Sequence, residues 1–256
     1  MITRRTALRM ASVSLAAAGI ALAGGTWALT ERALTVPPSP VRPEGVPSGP
    51  GGAEGASPEP WGFEEVDWEG WSKEAPALIA WVQLPEAGLS MPVMAPPADD
   101  GDYYLDHDAW GAWNPIGTPF LDADCQGDFD IGCAPILGHH LSDGRGFSVV
   151  AELSDPARAR ELSPVLLQTR AWRRVYDVIF VSVVDAGRHL KRTAFANAAD
   201  FAIWWGSEIE QAAAVLDSRT VPRRVIQLVT CSYSTYANER TVATCAQRLE
   251  LPPSSR

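Results

Sequence analysis

From Trp61 to the C-terminus, apolar positions mostly alternate with polar ones in short runs, and they fall at helical spacing in few places. Eight runs read as strands: ALIAWVQL (77–84), LSMPVM (89–94), GTPFLDA (117–123), APILGH (134–139), VLLQTRAW (165–172), RVYDVIFVSVV (174–184), RVIQLVT (224–230) and RTVATCAQRLEL (240–251). VYDVIFVSVV combines alternation with β-branched residues, which suit a pleated, half-buried surface. Helical spacing appears in WGFEEVDWEGWSKEAP (61–76), where Phe63, Val66 and Trp71 recur on one side, and in the short PARAREL (156–162). It is strongest in 198–218, where Phe201, Trp204 or Trp205, Ile209 and Ala212 form one face. Many short strands with few helices predict a mainly β chain: a closed or nearly closed barrel of about eight strands with helical insertions.

The first sixty residues follow different patterns. Arg4, Arg5 and Arg9 precede an uncharged run, Met10–Leu29, rich in Ala, Leu, Ile and Gly. At about 1.5 Å per residue, twenty such residues span a hydrocarbon core of roughly 30 Å. The basic flank orients the N-terminus inside and the rest outside. Two alternatives stay open: cleavage after Ala21-Leu22-Ala23, and twin-arginine export through Thr3-Arg4-Arg5. Retention as an anchor is the leading reading, and each alternative also takes the body out of the cytoplasm. Residues 30–61 form a linker, richest in Pro and Gly over 35–60, which reads as a semi-flexible stalk. The organisation is thus a basic segment (1–9), an anchor or signal (10–29), the linker (30–61) and one domain (62–256).

Composition narrows the function classes. The chain has 256 residues and a net charge of −10, with Lys73 and Lys191 its two lysines. It lacks the basic stripe of a nucleic-acid binder. Ten tryptophans and 46% hydrophobic residues exclude disorder for most of its length. Four cysteines are too few for a disulfide-built miniprotein. No P-loop, dinucleotide fingerprint or Gly-x-Ser-x-Gly elbow is present.

The residues with chemistry sit at strand ends. RVIQLVTC brings Cys231 to the end of an apolar strand, and APILGHH does the same for His139. A free thiol titrates near about 8.5, so it needs a base or cation nearby to act as a nucleophile. Arg240 lies beyond the 232–239 loop and returns toward Cys231 if that loop is a hairpin connection. On spacing alone, a cysteine is more often a buried small hydrophobe, and a His after Gly is often a turn residue.

The order and wording of these motifs resemble a class B sortase over about residues 63–251. ALIAWVQLPEAGLSMPVM resembles the segment that opens the sortase barrel, and DYYLDHDAWGAWNPIGTPFLDADC its tyrosine-leucine element and Gly-x-x-Phe-Leu-Asp strand. ILGHHLSDGRGFSVVAEL resembles the Gly-His element, and LVTC with Arg240 nine positions on resembles the Thr-x-Thr-Cys strand and its arginine. The helix within 198–218 fits the extra helix of class B, between the sixth and seventh strands.

The resemblance implies Cys231 as nucleophile, His139 as general acid/base and Arg240 as the cation that steadies substrate and oxyanion. His140 would be a neighbour of the acting histidine. Thr230, Val229, Leu137 and Ser232 would line the substrate groove. Val229 stands where the family often has serine, and Leu137 where an aromatic commonly precedes Gly-His, so the recognised motif is open. The implied activity is a membrane-anchored transpeptidase, outside the cell, that cleaves a sorting signal after Thr and passes the thioacyl group to an amine. Its partners would be secreted proteins bearing the signal, and a peptidoglycan precursor or pilin lysine. No metal or organic cofactor is required. Two alternatives remain: a thiol peptidase that only hydrolyses the signal, and a non-catalytic surface binding protein.

Other features have plainer readings. Cys125 and Cys133 flank QGDFDIG and are either a disulfide or two free thiols; Cys245 reads as a buried strand residue. Asp99, Asp100, Asp102, Asp106 and Asp108 lack EF-hand spacing and read as a solvated acidic loop. His107 reads as a turn residue, GRHLKR around His189 as a solvated basic loop, and Trp204–Trp205 as packing for their helix.

Overall fold

The structure, a computed structural model, describes residues 61–141, 143–189, 191–218, 221–231 and 238–254, with Cys231 described through its backbone. The basic segment, the apolar run, nearly all of the linker and Ser232 lie outside the described residues. Among the described residues no helix is long and apolar enough to cross a membrane.

Among the described residues nine strands form one sheet: β1 (Leu78–Leu84), β2 (Leu89–Met94), β3 (Phe120–Leu121), β4 (Cys133–Leu137), β5 (Val165–Gln168), β6 (Arg173–Asp185), β7 (Ala214–Val215), β8 (Val225–Cys231) and β9 (Glu239–Leu251). Their order is β5-β1-β2-β3-β4-β8-β9-β6-β7, and β5 also pairs with β6. That extra pairing closes an eight-stranded barrel and leaves β7 as an appended strand. The β2–β3 and β4–β8 pairs are parallel and the others antiparallel. The predicted mainly β barrel is the observed fold.

Strand alternation builds the interior. Val82 and Leu84 from β1, Ala134 and Ile136 from β4, Ile226 and Leu228 from β8, and Ala243 and Cys245 from β9 meet in the main core. The opposite parity of the same strands faces outward, where two satellite clusters cover it. One lies under the long helix, and the other joins Met94, Tyr104 and Phe120 beneath the 95–118 segment.

Among the described residues three α-helices decorate the barrel: α1 (Trp68–Glu74), α2 (Pro156–Glu161) and α3 (Ala198–Gln211). α1 starts later than the pattern around Phe63 and Val66 predicts, because the Asp67 side chain caps it by accepting from the Gly70 N–H. α2 begins at Asp155 as cap with Pro156 in its first turn. α3 lies between β6 and β7 and buries Phe201, Trp204 and Trp205 against Phe180 and Val225. The expected helix over 198–218 ends early: beyond Ala212 the chain pairs Ala214 with Val181 and Val215 with Phe180.

Some elements depart from expectation. β7 is too short to show alternation. Phe147–Ser154 forms a 3₁₀ helix, which the sequence reading passed over. Phe147, Val150 and Leu153 are buried there at a spacing of three, the period of a 3₁₀ turn. The GRHLKR loop is not simply solvated. The Lys191 ammonium sits 2.6 Å from both oxygens of buried Asp122 and 3.0 Å from Asp124. Partial burial opposes the charge, but the two carboxylates outweigh it and raise the Lys191 pKa.

Candidate active site

Strand register gathers the three candidate catalytic residues. β4 and β8 run parallel with Leu137 beside Val229, and the Gly138 N–H donates to the Val229 carbonyl at 3.1 Å. Two positions further on each chain stand His139 and Cys231. On the other side of β8, Cys231 lies directly opposite Arg240 in the antiparallel ladder with β9. The backbone of Cys231 is therefore the middle member, with His139 following one neighbouring strand and Arg240 on the other. Burying Ile136, Leu228 and Ala243 inward assigns Leu137, Val229 and Arg240 to the outer face of the sheet.

His139 is half-buried and its Nε2 lies 2.6 Å from the carbonyl oxygen of Leu105. A carbonyl only accepts, so in this pair Nε2 is the donor. The same bond steadies the imidazolium when both nitrogens are protonated. The Leu105 carbonyl is itself held in place. Thr118 N–H donates to the Tyr104 carbonyl at 2.9 Å, and Gly117, at φ +65°, lies so close that a Cβ would come 2.4 Å from the Tyr104 oxygen and 2.7 Å from that of Leu105. The sequence reading matched the tyrosine-leucine element but gave it no role.

Thr230 supplies a second brace. Its side chain is buried and its hydroxyl donates to the Gly138 carbonyl at 2.9 Å, clamping the residue before His139 to the residue before Cys231. Gly138 is required by space, since a Cβ there would sit 2.7 Å from the Phe147 side chain. Thr230 is thus buried beneath the site, away from the groove face expected for it. Val229 and Leu137 are half-buried neighbours on the outer face, and Leu137 packs against the Tyr104–Phe120 cluster. His140 bridges to Gly146 instead of joining the site.

Arg240 is half-buried and donates from Nη1 to the Glu239 carbonyl at 3.0 Å. The adjoining Glu239 side chain is buried and sits opposite Asp185 in the β6–β9 ladder. The sequence reading did not single out this carboxylate, whose only signal is its place beside Arg240.

The remaining thiols differ in kind. Cys125, Cys133 and Cys245 are free and buried. Burial pushes the Cys125 thiol up to about 12, and raises Cys133 and Cys245 as well. Burial therefore disfavours the thiolate at all three. Among the described residues no group of three or more metal-ligating side chains is gathered. His107 is stacked on Tyr103, with ring centres 3.8 Å apart, and pairs with Asp106 at 2.7 Å.

Comparison with known proteins decides the fold class. Clostridium perfringens sortase B superimposes with a TM-score of 0.63 at 19% identity, over 72% of this chain and 98% of that one. A Staphylococcus aureus sortase B–substrate complex gives 0.60 at 17% identity, over 72% and 84%. A Bacillus anthracis protein described as similar to sortase B gives 0.62 at 17%, over 71% and 83%. The chain has the sortase B fold. No protein-family model and no curated protein sequence matches it. At 17–19% identity the sortase B likeness is one of fold.

Proposed function

We propose that this chain is a cysteine transpeptidase that cleaves a sorting signal after Thr and transfers the acyl part to an amine. The observation that carries the reading is the register: Cys231 directly opposite Arg240 and one parallel strand from the segment ending in His139. The sortase B fold, and the substrate complex in which one neighbour was solved, support it.

In the first half-reaction the Cys231 thiolate attacks the carbonyl carbon of the Thr-x bond, forming a C–S bond and a tetrahedral oxyanion. Arg240 donates hydrogen bonds to that oxyanion through its planar guanidinium. As the C–N bond breaks, the His139 imidazolium gives its Nδ1 proton to the leaving amine, while Nε2–H stays on the Leu105 carbonyl. In the second half-reaction an amine attacks the thioester. His139 takes its proton, the amide forms and the thiolate leaves. Val229 and Leu137 flank the groove that reads the signal.

We place the enzyme at the outer face of a cell membrane, with 10–29 as its anchor and 30–61 as its stalk. Secreted proteins would be its donors, and a peptidoglycan precursor or a pilin lysine its acceptor. The test is amine dependence. Incubation with an Asn-Pro-x-Thr or Leu-Pro-x-Thr peptide and triglycine should yield peptide joined through Thr to the added amine. Hydrolysed peptide alone, unchanged by amine, would identify a thiol peptidase instead.

A further inference from the structure

Arg240, the cation of the proposed reaction, stands at the second position of its strand. In the β6–β9 ladder Val184 faces Arg240, and the next pair, Asp185 with Glu239, is the last. An arginine stem has several free torsions, so a defined guanidinium position needs a bond to something fixed. That bond runs from Nη1 to the carbonyl oxygen of Glu239, 3.0 Å away. The place of the cation therefore follows the peptide that opens β9, and chain segments at such ends are the first to open.

This end is closed by Asp185 and Asn238. The Asn238 carbonyl accepts from the Ala186 N–H at 3.0 Å, and its Nδ2 donates to Asp185 Oδ1 at 3.0 Å. The same Oδ1 accepts from the Gly187 N–H at 2.8 Å, while the Asp185 carbonyl accepts from the Arg188 and His189 N–H groups at 2.9 and 2.8 Å. Asp185 thus folds the turn that follows β6 and, with one carboxylate oxygen, holds Asn238 against it. The fit is close: a Cβ on Gly187 would lie 3.3 Å from both Asn238 Nδ2 and Asp185 Oδ1.

Global stability does not account for the contact. Asn238 is exposed and Asp185 half-buried, so water competes for both groups and their bond adds little to folding. What the bond restrains is local. Asn238 is joined to Glu239, whose carbonyl holds the guanidinium, and Arg240 lies directly opposite Cys231 on β8.

We propose that Asp185 is a positioning residue for Arg240, acting through Asn238 to hold the first peptide of β9 in place beside Cys231. The proposal deepens the proposed function and rests on it for the reaction; the placement of Arg240 beside Cys231 is also readable without turnover.

Three substitutions separate the acceptor from the charge. Asp185→Ala removes both. Asp185→Asn removes the charge and keeps an oxygen that accepts from Asn238 and Gly187. Asn238→Ala breaks the same bond and spares the Gly187 contact. The full chain in detergent would be assayed with Asn-Pro-x-Thr and Leu-Pro-x-Thr peptides and triglycine, with circular dichroism to check folding. Asp185→Ala and Asn238→Ala should lower kcat by about tenfold with KM little changed, and Asp185→Asn should stay within about twofold of wild type. Adding Asp185→Ala to Arg240→Ala should slow the enzyme no further.

The second readout is the pH midpoint of Cys231 alkylation by iodoacetamide, followed by peptide mapping. A guanidinium nearby favours the thiolate, so Arg240→Ala should raise the midpoint, and Asp185→Ala should raise it too. Loss of the Asp185 charge by itself would lower the midpoint, so the sign separates positioning from simple electrostatics. Equal effects of Ala and Asn at 185, an inert Asn238→Ala, additivity with Arg240→Ala, or a midpoint that falls or holds in Asp185→Ala would overturn the proposal. If the midpoint rises as expected yet no peptide forms a thioacyl adduct, the positioning stands and the transpeptidase reading falls.

Discussion

The imidazole of His139 is tied through Nε2 to the backbone carbonyl of Leu105, 2.6 Å away. A main-chain oxygen in the 95–118 segment thus orients this imidazole. The contact makes Nε2 the donor toward Leu105. It also makes the precision of the site depend on the loop that carries Leu105.

Glutamine at position 139 separates orientation from chemistry, since its amide N–H can still donate to Leu105 but cannot shuttle protons. His139→Gln should unfold within about 0.5 kcal/mol of wild type while turnover drops by about 10²–10⁴. Urea titration and peptide cleavage kinetics check this. Substantial residual activity would place the acid/base elsewhere.

Thr230→Val removes the hydroxyl that clamps Gly138 and keeps the side-chain shape. Leaving the Gly138 carbonyl without this donor should cost about 1–2 kcal/mol of stability. It should lower kcat more than it raises KM, because Thr230 positions His139 and Cys231 without touching substrate. A KM effect of equal size would make it a groove residue.

Gly138→Ala forces a Cβ to within 2.7 Å of the Phe147 side chain. Overpacking of this kind costs about 1–3 kcal/mol, and it displaces the backbone next to His139. Combining it with Phe147→Leu should cost less than the sum of the two single changes, a coupling that denaturation of all four species measures. Additivity would separate the two residues.

The buried thiols predict a labelling pattern and a pH trend. At pH 7.5 iodoacetamide should modify Cys231 alone in the native protein, and all four cysteines in denaturant. Cys125, Cys133 and Cys245 have thiols raised by burial, Cys125 to about 12. Above about pH 8.5 their unfolded forms lose protons that the folded forms keep. The unfolded state then binds fewer protons, so stability falls as pH rises from there. Thermal midpoints between pH 7 and 10 should decline, and less steeply in a Cys125→Ala variant once its own intercept is subtracted.

The barrel was legible because its longest elements carry strong signals. β6 alternates over VYDVIFVSVV, and α3 puts Phe201, Trp204 and Trp205 on one face. Two-residue β7 has no period to read, and it cuts short the helix expected to reach 218. The 3₁₀ turn at Phe147–Ser154 buries residues at a spacing of three, which fits neither the strand nor the α-helix template. Within the site, Cys231, His139 and Arg240 were readable as side chains at strand ends. Leu105 acts through a carbonyl, and Thr230 through a long-range bond to Gly138, 92 residues away in sequence. No local pattern encodes either contact. Lys191 looked like part of a solvated basic run because its partners Asp122 and Asp124 lie on a distant turn.

The most direct test of the central claim is to trap the acyl intermediate. Full-length protein would be mixed with Asn-Pro-x-Thr and Leu-Pro-x-Thr peptides without amine, quenched in acid, and read by intact mass and peptide mapping. The account predicts an adduct ending in Thr on Cys231, lost in Cys231→Ala and discharged when triglycine is added before the quench. An adduct on another cysteine, or turnover that survives Cys231→Ala, would contradict it.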